Sequence, residues 1–214
     1  MSNKKPIYIK DAKVVDTVII IDHPQQVGFI SKSLIKNCEL IIAVPARGII
    51  ISNSTLENCH IVAKRKQVNH QWFSNSFIKC KFSGKFHGCE FGSRIKWEMD
   101  DNEGSIEDCN FVDTELHYCS VSNSVLSSNI FPTLPHFLIL SPSECDESYR
   151  FPKGKYWEKR KKILIERDGV NAHIYNWDSF GIGPNMSIVF IEVRFEKTVK
   201  IGLRDLFLGV KWGI

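Results

Sequence analysis

The side chains of this 214-residue chain that could do chemistry are seven cysteines (Cys38, Cys59, Cys80, Cys89, Cys109, Cys119, Cys145), seven histidines (His23, His60, His70, His87, His117, His136, His173) and a run of carboxylates between Glu98 and Glu115. A thiol beside an imidazole can act as a nucleophile, and Cys145 with His136 is the pair that sequence proximity brings up. Zinc would need Cys or His partners at short fixed spacings, and no CxxC, HExxH or zinc-knuckle pattern occurs. A phosphate-cradling GxxxxGK[ST] and a GxSxG elbow are also missing. Gly181-Ile182-Gly183-Pro184 lacks the third glycine and the following helix of a dinucleotide loop and reads as a turn. No catalytic, cofactor-binding or metal-binding residue is therefore expected.

What the cysteines do show is a period. Cys38, Cys59 and Cys80 stand 21 residues apart, and Cys89, Cys109 and Cys119 follow at steps of 9, 20 and 10. Laid in that register, eight segments share one template: AKVVDTVI from Ala12, SLIKNCEL from Ser33, STLENCHI from Ser54, NSFIKCKF from Asn75, GKFHGCEF from Gly84, GSIEDCNF from Gly104, TELHYCSV from Thr114 and SVLSSNIF from Ser124. Each carries two apolar residues five apart: Val14/Ile19, Ile35/Leu40, Leu56/Ile61, Phe77/Phe82, Phe86/Phe91, Ile106/Phe111, Leu116/Val121 and Leu126/Phe131. A helix would place them three and four apart and a flat strand two apart. A coil that turns a corner every few residues fits: large apolar side chains enter once per side, and small ones sit at the corners. A period of 20 or 21 is then one full rung and a step of 9 or 10 half a rung. Rungs stack ~4.8 Å apart as parallel strands.

These units resemble the pentapeptide-repeat family, through Cys-x-Phe at Cys80/Phe82, Cys89/Phe91 and Cys109/Phe111 and Ser-x-Leu at Ser54/Leu56. The resemblance covers roughly residues 10–131 and implies a right-handed parallel β-helix with four sides. IIAVPARGIII and VAKRKQVNHQWF depart from the five-residue rule, and a three-sided coil satisfies the spacing of the first half as well. The expected class is mainly β: a right-handed parallel β-helix (solenoid) over 1–131 with a small α+β C-terminal capping segment over 132–214. Cysteine is small and apolar enough for an inward corner, a slot that Thr17 and Asn129 share. After Phe131 the template stops, and prolines 132, 135, 142 and 152 mark a boundary. Beyond it, residues 155–167 read as a basic helix or a strand, and the alternation from Phe190 to Glu196 reads as a half-exposed strand. An open stack exposes strand edges, so this segment is expected to cover the last rung.

The charge of +4 is small, and residues 1–131 hold 15 basic against 14 acidic side chains, which argues against nucleic acid as partner and against a rod that imitates DNA by acidity. No stretch reaches ~18 apolar residues, so no membrane span is expected; with no export signal in view, a cytoplasmic chain with reduced thiols is the expectation. Glu98, Asp100, Asp101, Glu103, Glu107, Asp108, Asp113 and Glu115 come with no Lys or Arg among them, and Trp97 adds an aromatic anchor, which makes 97–115 the expected partner-binding face. The expected function is a non-enzymatic protein-binding module, first an immunity protein that neutralises a bacterial toxin. The alternatives are the DNA gyrase-protecting branch of the pentapeptide-repeat family, or a β-helix enzyme acting on a glycan through Asp100, Asp101 and Glu103. A second copy of the chain is a further candidate partner.

Overall fold

The structure, a computed structural model, describes residues 6–23, 25–72, 74–92, 104–133, 136–140 and 170–176. The chain winds as a parallel β-helix. Its first coil is β1 (Tyr8–Lys10), β2 (Lys13–Val15) and β3 (Val18–Ile21), its second β4 (Gly28–Ser31), β5 (Leu34–Lys36) and β6 (Glu39–Ile42), and its third β7 (Ile49–Ser52), β8 (Thr55–Glu57) and β9 (His60–Val68). β10 (Ser76–Ile78), β11 (Lys81–His87) and β12 (Glu90–Gly92) follow, then β13 (Ser105–Glu107), β14 (Asn110–His117) and β15 (Cys119–Ser122). Stacking gives three faces: β1-β4-β7, then β2-β5-β8-β10-β13, then β3-β6-β9-β11-β14.

The register is the 21-residue period made physical. Val14, Ile35, Leu56, Phe77 and Ile106 pair in one column on the second face. Ile19, Leu40, Ile61 and Phe82 do so on the third. Apart from Val14, Leu126 and Phe131, which are partly buried and packed against the core, every member of the eight apolar pairs is buried. Alternation along each strand turns the intervening side chains outward. In the middle of the coil the filling is aromatic. Phe82 stacks on Phe111 at 4.5 Å and Phe111 on Phe131 at 5.5 Å, both 8° from parallel, while Trp72 lies 6.1 Å over Phe91.

Corners are made by residues with positive φ. Asp16, Asn37, Asn58, Lys79 and Asp108 (φ 51–53°) form one column, each directly before a thiol or Thr17, and Asn69, Gly88 and Tyr118 form another. Left-handed backbone costs an ordinary residue ~1–2 kcal/mol and Asn or Asp least, which is why Asn-Cys recurs. The corner N–H groups of Asp16, Asn37 and Asn58 donate to the carbonyls of Lys36, Glu57 and Ile78 in the next coil, and the Asn37 and Asn58 amides donate to Asp16 and Asn37, at 2.9 Å each.

The cross-section changes along the axis. After β3 and β6 the chain returns to the first face through connections without strand, the second holding a 3-10 turn at Ala46–Gly48. From the third coil a fourth side appears: Gln67 and Val68 pair with Phe86 and His87, which pair with Leu116 and His117. To reach it, Lys64, Arg65 and Lys66 bulge out of β9 opposite the single Lys85. The basic triplet is thus an insertion in the ladder, and it explains why that stretch breaks the five-residue rule.

At the far end the expected cover is present in part. β16 (His136–Leu140) and β17 (Val170–Asn176) form an antiparallel pair, and β17 runs antiparallel along the outer edge of β15. The helix or strand expected at 155–167, the strand at Phe190 to Glu196 and the turn at Gly181 fall outside the described residues. None of the helices among the described residues is long and apolar enough to cross a membrane.

Candidate functional site

The thiols form two columns on opposite corners. Cys38, Cys59, Cys80 and Cys109 occupy one, below Asn129 and above Thr17, and Cys89 and Cys119 the other, after His70. All six are free and buried. Each Sγ lies within hydrogen-bond reach of two carbonyls, one two residues back in its own coil and one in the coil before, and its single S–H can donate to either: in the coil before, Cys59 reaches Ile35 at 3.4 Å, Cys80 Leu56 at 3.2 Å and Cys109 Phe77 at 3.2 Å. Neighbouring sulfurs set each other's acidity, Cys109 and Cys59 pushing Cys80 up while Cys80 draws Cys59 down to about 7. Burial pushes Cys119 up first of all. With no access to solvent these sulfurs are packing groups, and no cluster of three metal-ligating side chains occurs among the described residues. Cys145 lies outside those residues, so its pairing with His136 has no structural account here.

The histidines are not all at the surface: His70, His117 and His173 are buried. His60 is half-buried on the third face, 3.8 Å from Glu39 and 2.7 Å from Ser83 Oγ. His87 and His117 meet on the fourth side, ring centroids 5.0 Å apart, with Tyr118 4.0 Å from His117. A shallow groove of about 320 Å³ there is lined by Lys66, Lys85, Phe86, His87, Glu115, His117 and Tyr118. His117 is 5% exposed because the β16/β17 pair covers it; burial, then the charges of His87 and Lys66, push it down to about 4. Burial and Lys66 push His87 the same way. The 30-residue offset between His87 and His117, longer than a regular rung, is what hid this pairing in the sequence.

Of the expected partner-binding residues, Trp97, Glu98, Asp100, Asp101 and Glu103 lie outside the described residues. The other four are described, and they wrap around the coil. Glu107 is on the second face, Asp108 at the corner beyond it, Asp113 on the third face and Glu115 beside the groove on the fourth side. Lysines of the preceding coil meet two of them: Lys81 Nζ is 2.6 Å from Asp113 and Lys85 Nζ 2.6 Å from Glu115, and both carboxyls are held below their ordinary range by those hydrogen bonds. Acidity that is continuous in sequence is thus partly neutralised in space.

A different outward feature was missed by the sequence reading. On the first face Tyr8, Phe29 and Ile50 stack outward in register, the two rings 5.2 Å apart and 16° from parallel. On the third face Ile20, Ile41 and Val62 do the same. Tyr8 is 68% exposed, Ile50 47% and Ile20 46%. The signal lay in the 21-residue period at the non-core positions, which core-seeking discards. Further along, polar Gln71 and Glu90 pair with each other across successive coils.

No protein-family model matches the chain, and no curated protein does. Among solved structures it is similar to the plasmid-mediated fluoroquinolone resistance protein QnrB1. A trypsin-treated variant of that protein is 12% identical with a TM-score of 0.20, covering 58% of this chain and 74% of its own. A second trypsin-treated variant is 12% identical (TM-score 0.15, 56% and 78%), and the full-length protein 11% identical (TM-score 0.15, 56% and 81%). The architecture of the present chain rests on its own strand register, that of a parallel β-solenoid.

Proposed function

We propose that the chain is a protein-binding module of the pentapeptide-repeat kind with no chemistry of its own, and that it docks its partner on the outward apolar ladders of the first three coils. The observation that carries this reading is the in-register outward ladder of Tyr8, Phe29 and Ile50, with Tyr8 and Ile50 exposed and Phe29 partly so, on a backbone already fixed by the stack. A pre-ordered face loses little conformational entropy on binding, and large apolar and aromatic side chains supply most of the affinity in protein interfaces. Residues 6–72 hold eight Lys or Arg against five Asp or Glu, so the coils that carry the ladders are net positive. The partner that fits is a folded protein with an apolar patch bordered by acidic side chains.

Neither the geometry nor the comparisons favour a toxin as that partner, and the toxin-inhibitor reading keeps only its sequence rationale. DNA gyrase is the partner to test first. Protection by acidic imitation of DNA is opposed by the charge of +4 and by the Lys81–Asp113 and Lys85–Glu115 pairs, so contact through the apolar ladders is the form such protection would take. Purified chain is assayed for protection of gyrase supercoiling against a quinolone, and for rescue from a toxin encoded beside its gene. Tyr8→Glu and Ile50→Glu are expected to abolish whichever activity is found while leaving the melting temperature unchanged. A partner indifferent to both substitutions would overturn the assignment of the face. A glycan-cleaving activity lost in Asp100→Ala, Asp101→Ala or Glu103→Ala would overturn the non-catalytic reading.

A further inference from the structure

We infer that the seam between the coil and the β16/β17 pair is acid-labile, because two imidazoles accept backbone N–H groups across it in opposite directions. Asn176 N–H on β17 donates to His117 Nδ1 on β14 at 3.1 Å, and Leu116 N–H on β14 donates to His136 Nε2 on β16 at 3.0 Å. A ring nitrogen that accepts a hydrogen bond carries a lone pair, and an imidazolium has none. Both rings must therefore be neutral for the pair of strands to dock. His136 is Nδ1-protonated in that state, a tautomer also held by its contact with Thr133 O at 3.1 Å. The proton on His117 belongs to Nε2.

The surroundings favour neutrality. Among the described residues, His117 faces Lys66 and Lys85 from β9 and β11, His87 from β11, His136 from β16, Tyr175 from β17 and Glu115 and Tyr118 from its own stretch of chain. Glu115, the one carboxylate among these, is already engaged by Lys85 at 2.6 Å. A histidine held below its ordinary value stabilises the docked form fully above pH ~6.5, and that stabilisation is lost as pH falls from 6.5 toward 4. Opening frees His117 and His136 to take up one proton each. The opening constant of the seam then rises as pH falls, by at most about 10-fold per pH unit for each proton taken up, and not at all for a seam without the two histidines. The coil does not depend on these bonds, so the response is local: β17 leaves β15, and the edge of Cys119–Ser122 is laid bare.

The test is amide hydrogen exchange on the full chain between pH 7.5 and 5, corrected for intrinsic rates, read at 119–122 and 170–176 and at the control strands β5, β8 and β10. Protection is expected to fall steeply at the seam and not at the controls. His117→Asn combined with His136→Gln places a non-titrating acceptor near each nitrogen and is expected to flatten the response. Imidazole ¹⁵N spectra of the unaltered chain give a second reading that needs no variant: at pH 7.5 His136 should show the Nδ1-H tautomer and His117 the Nε2-H tautomer. Seam protection that is level with pH, an equal fall in the double variant, or the opposite tautomers would each overturn the inference.

Discussion

Truncation of Phe82 to alanine tests the core column at its most heavily packed point. The ring is fully buried, stacks on Phe111 at 4.5 Å, and meets Phe77, Phe86, Phe91 and Trp72 edge-on with centroids between 5.3 and 6.5 Å. Buried Phe→Ala changes cost ~3–5 kcal/mol, and five aromatic neighbours losing a partner put this one near 5. Whole domains are stable by ~5–15 kcal/mol, so a third or more of the total is at stake. With a urea dependence of about 2 kcal/mol per molar, the midpoint of unfolding followed by circular dichroism should drop by ~2.5 M. Phe82→Leu should fall between this variant and the parent, and Phe82→Asp, which buries an unpaired charge, should not fold. The control is Lys81→Ala, one residue away and outward, whose midpoint should stay near the parent's. If Phe82→Ala and Lys81→Ala have the same midpoint, the alternation of inside and outside on the third face is wrong.

Gly84→Ala is expected to destabilise the coil by more than 1 kcal/mol, because Gly84 has φ +109° and a Cβ there would run into the Ala63 carbonyl; a thermal melt equal to the parent's would count against that corner. Asn58→Val should cost ~1–2 kcal/mol through its left-handed backbone and the lost amide ladder to Asn37, whereas Asn58→Gly keeps the backbone free and should cost less; the two urea midpoints in the reverse order would refute the corner argument.

The repeat was legible because core positions are chemically narrow. Only a large apolar residue can fill the axis and only a small one the corner, so Cys38, Cys59 and Cys80 announced the period and Cys89 and Cys119 its half-turn. The outward positions carry no such constraint. Tyr8, Phe29 and Ile50 form a ladder, yet nothing in their local sequence distinguishes them from core residues of the same type. Trp72, a central member of the core, escapes the five-residue template because the bulge at Lys64 to Lys66 breaks the count before it. Likewise, Lys81 and Lys85 reach Asp113 and Glu115 across a longer connection, so the acids read as unpaired when in space they are not. The seam histidines stand at sequence separations of 20 and 59 residues from their backbone donors, far beyond any local pattern.

Because residues 21 apart pair in strict succession from β2 through β5 to β8, any stretch of 21 residues cut out between corresponding corners would leave its flanks in matching register. Excision of residues 33–53 would bring Lys32 to Ser54, with every inward side chain still meeting its own kind and the rod shorter by ~4.8 Å. Reach is then a separately adjustable dimension of this molecule: duplication lengthens it storey by storey, and the interior chemistry need not be reinvented each time.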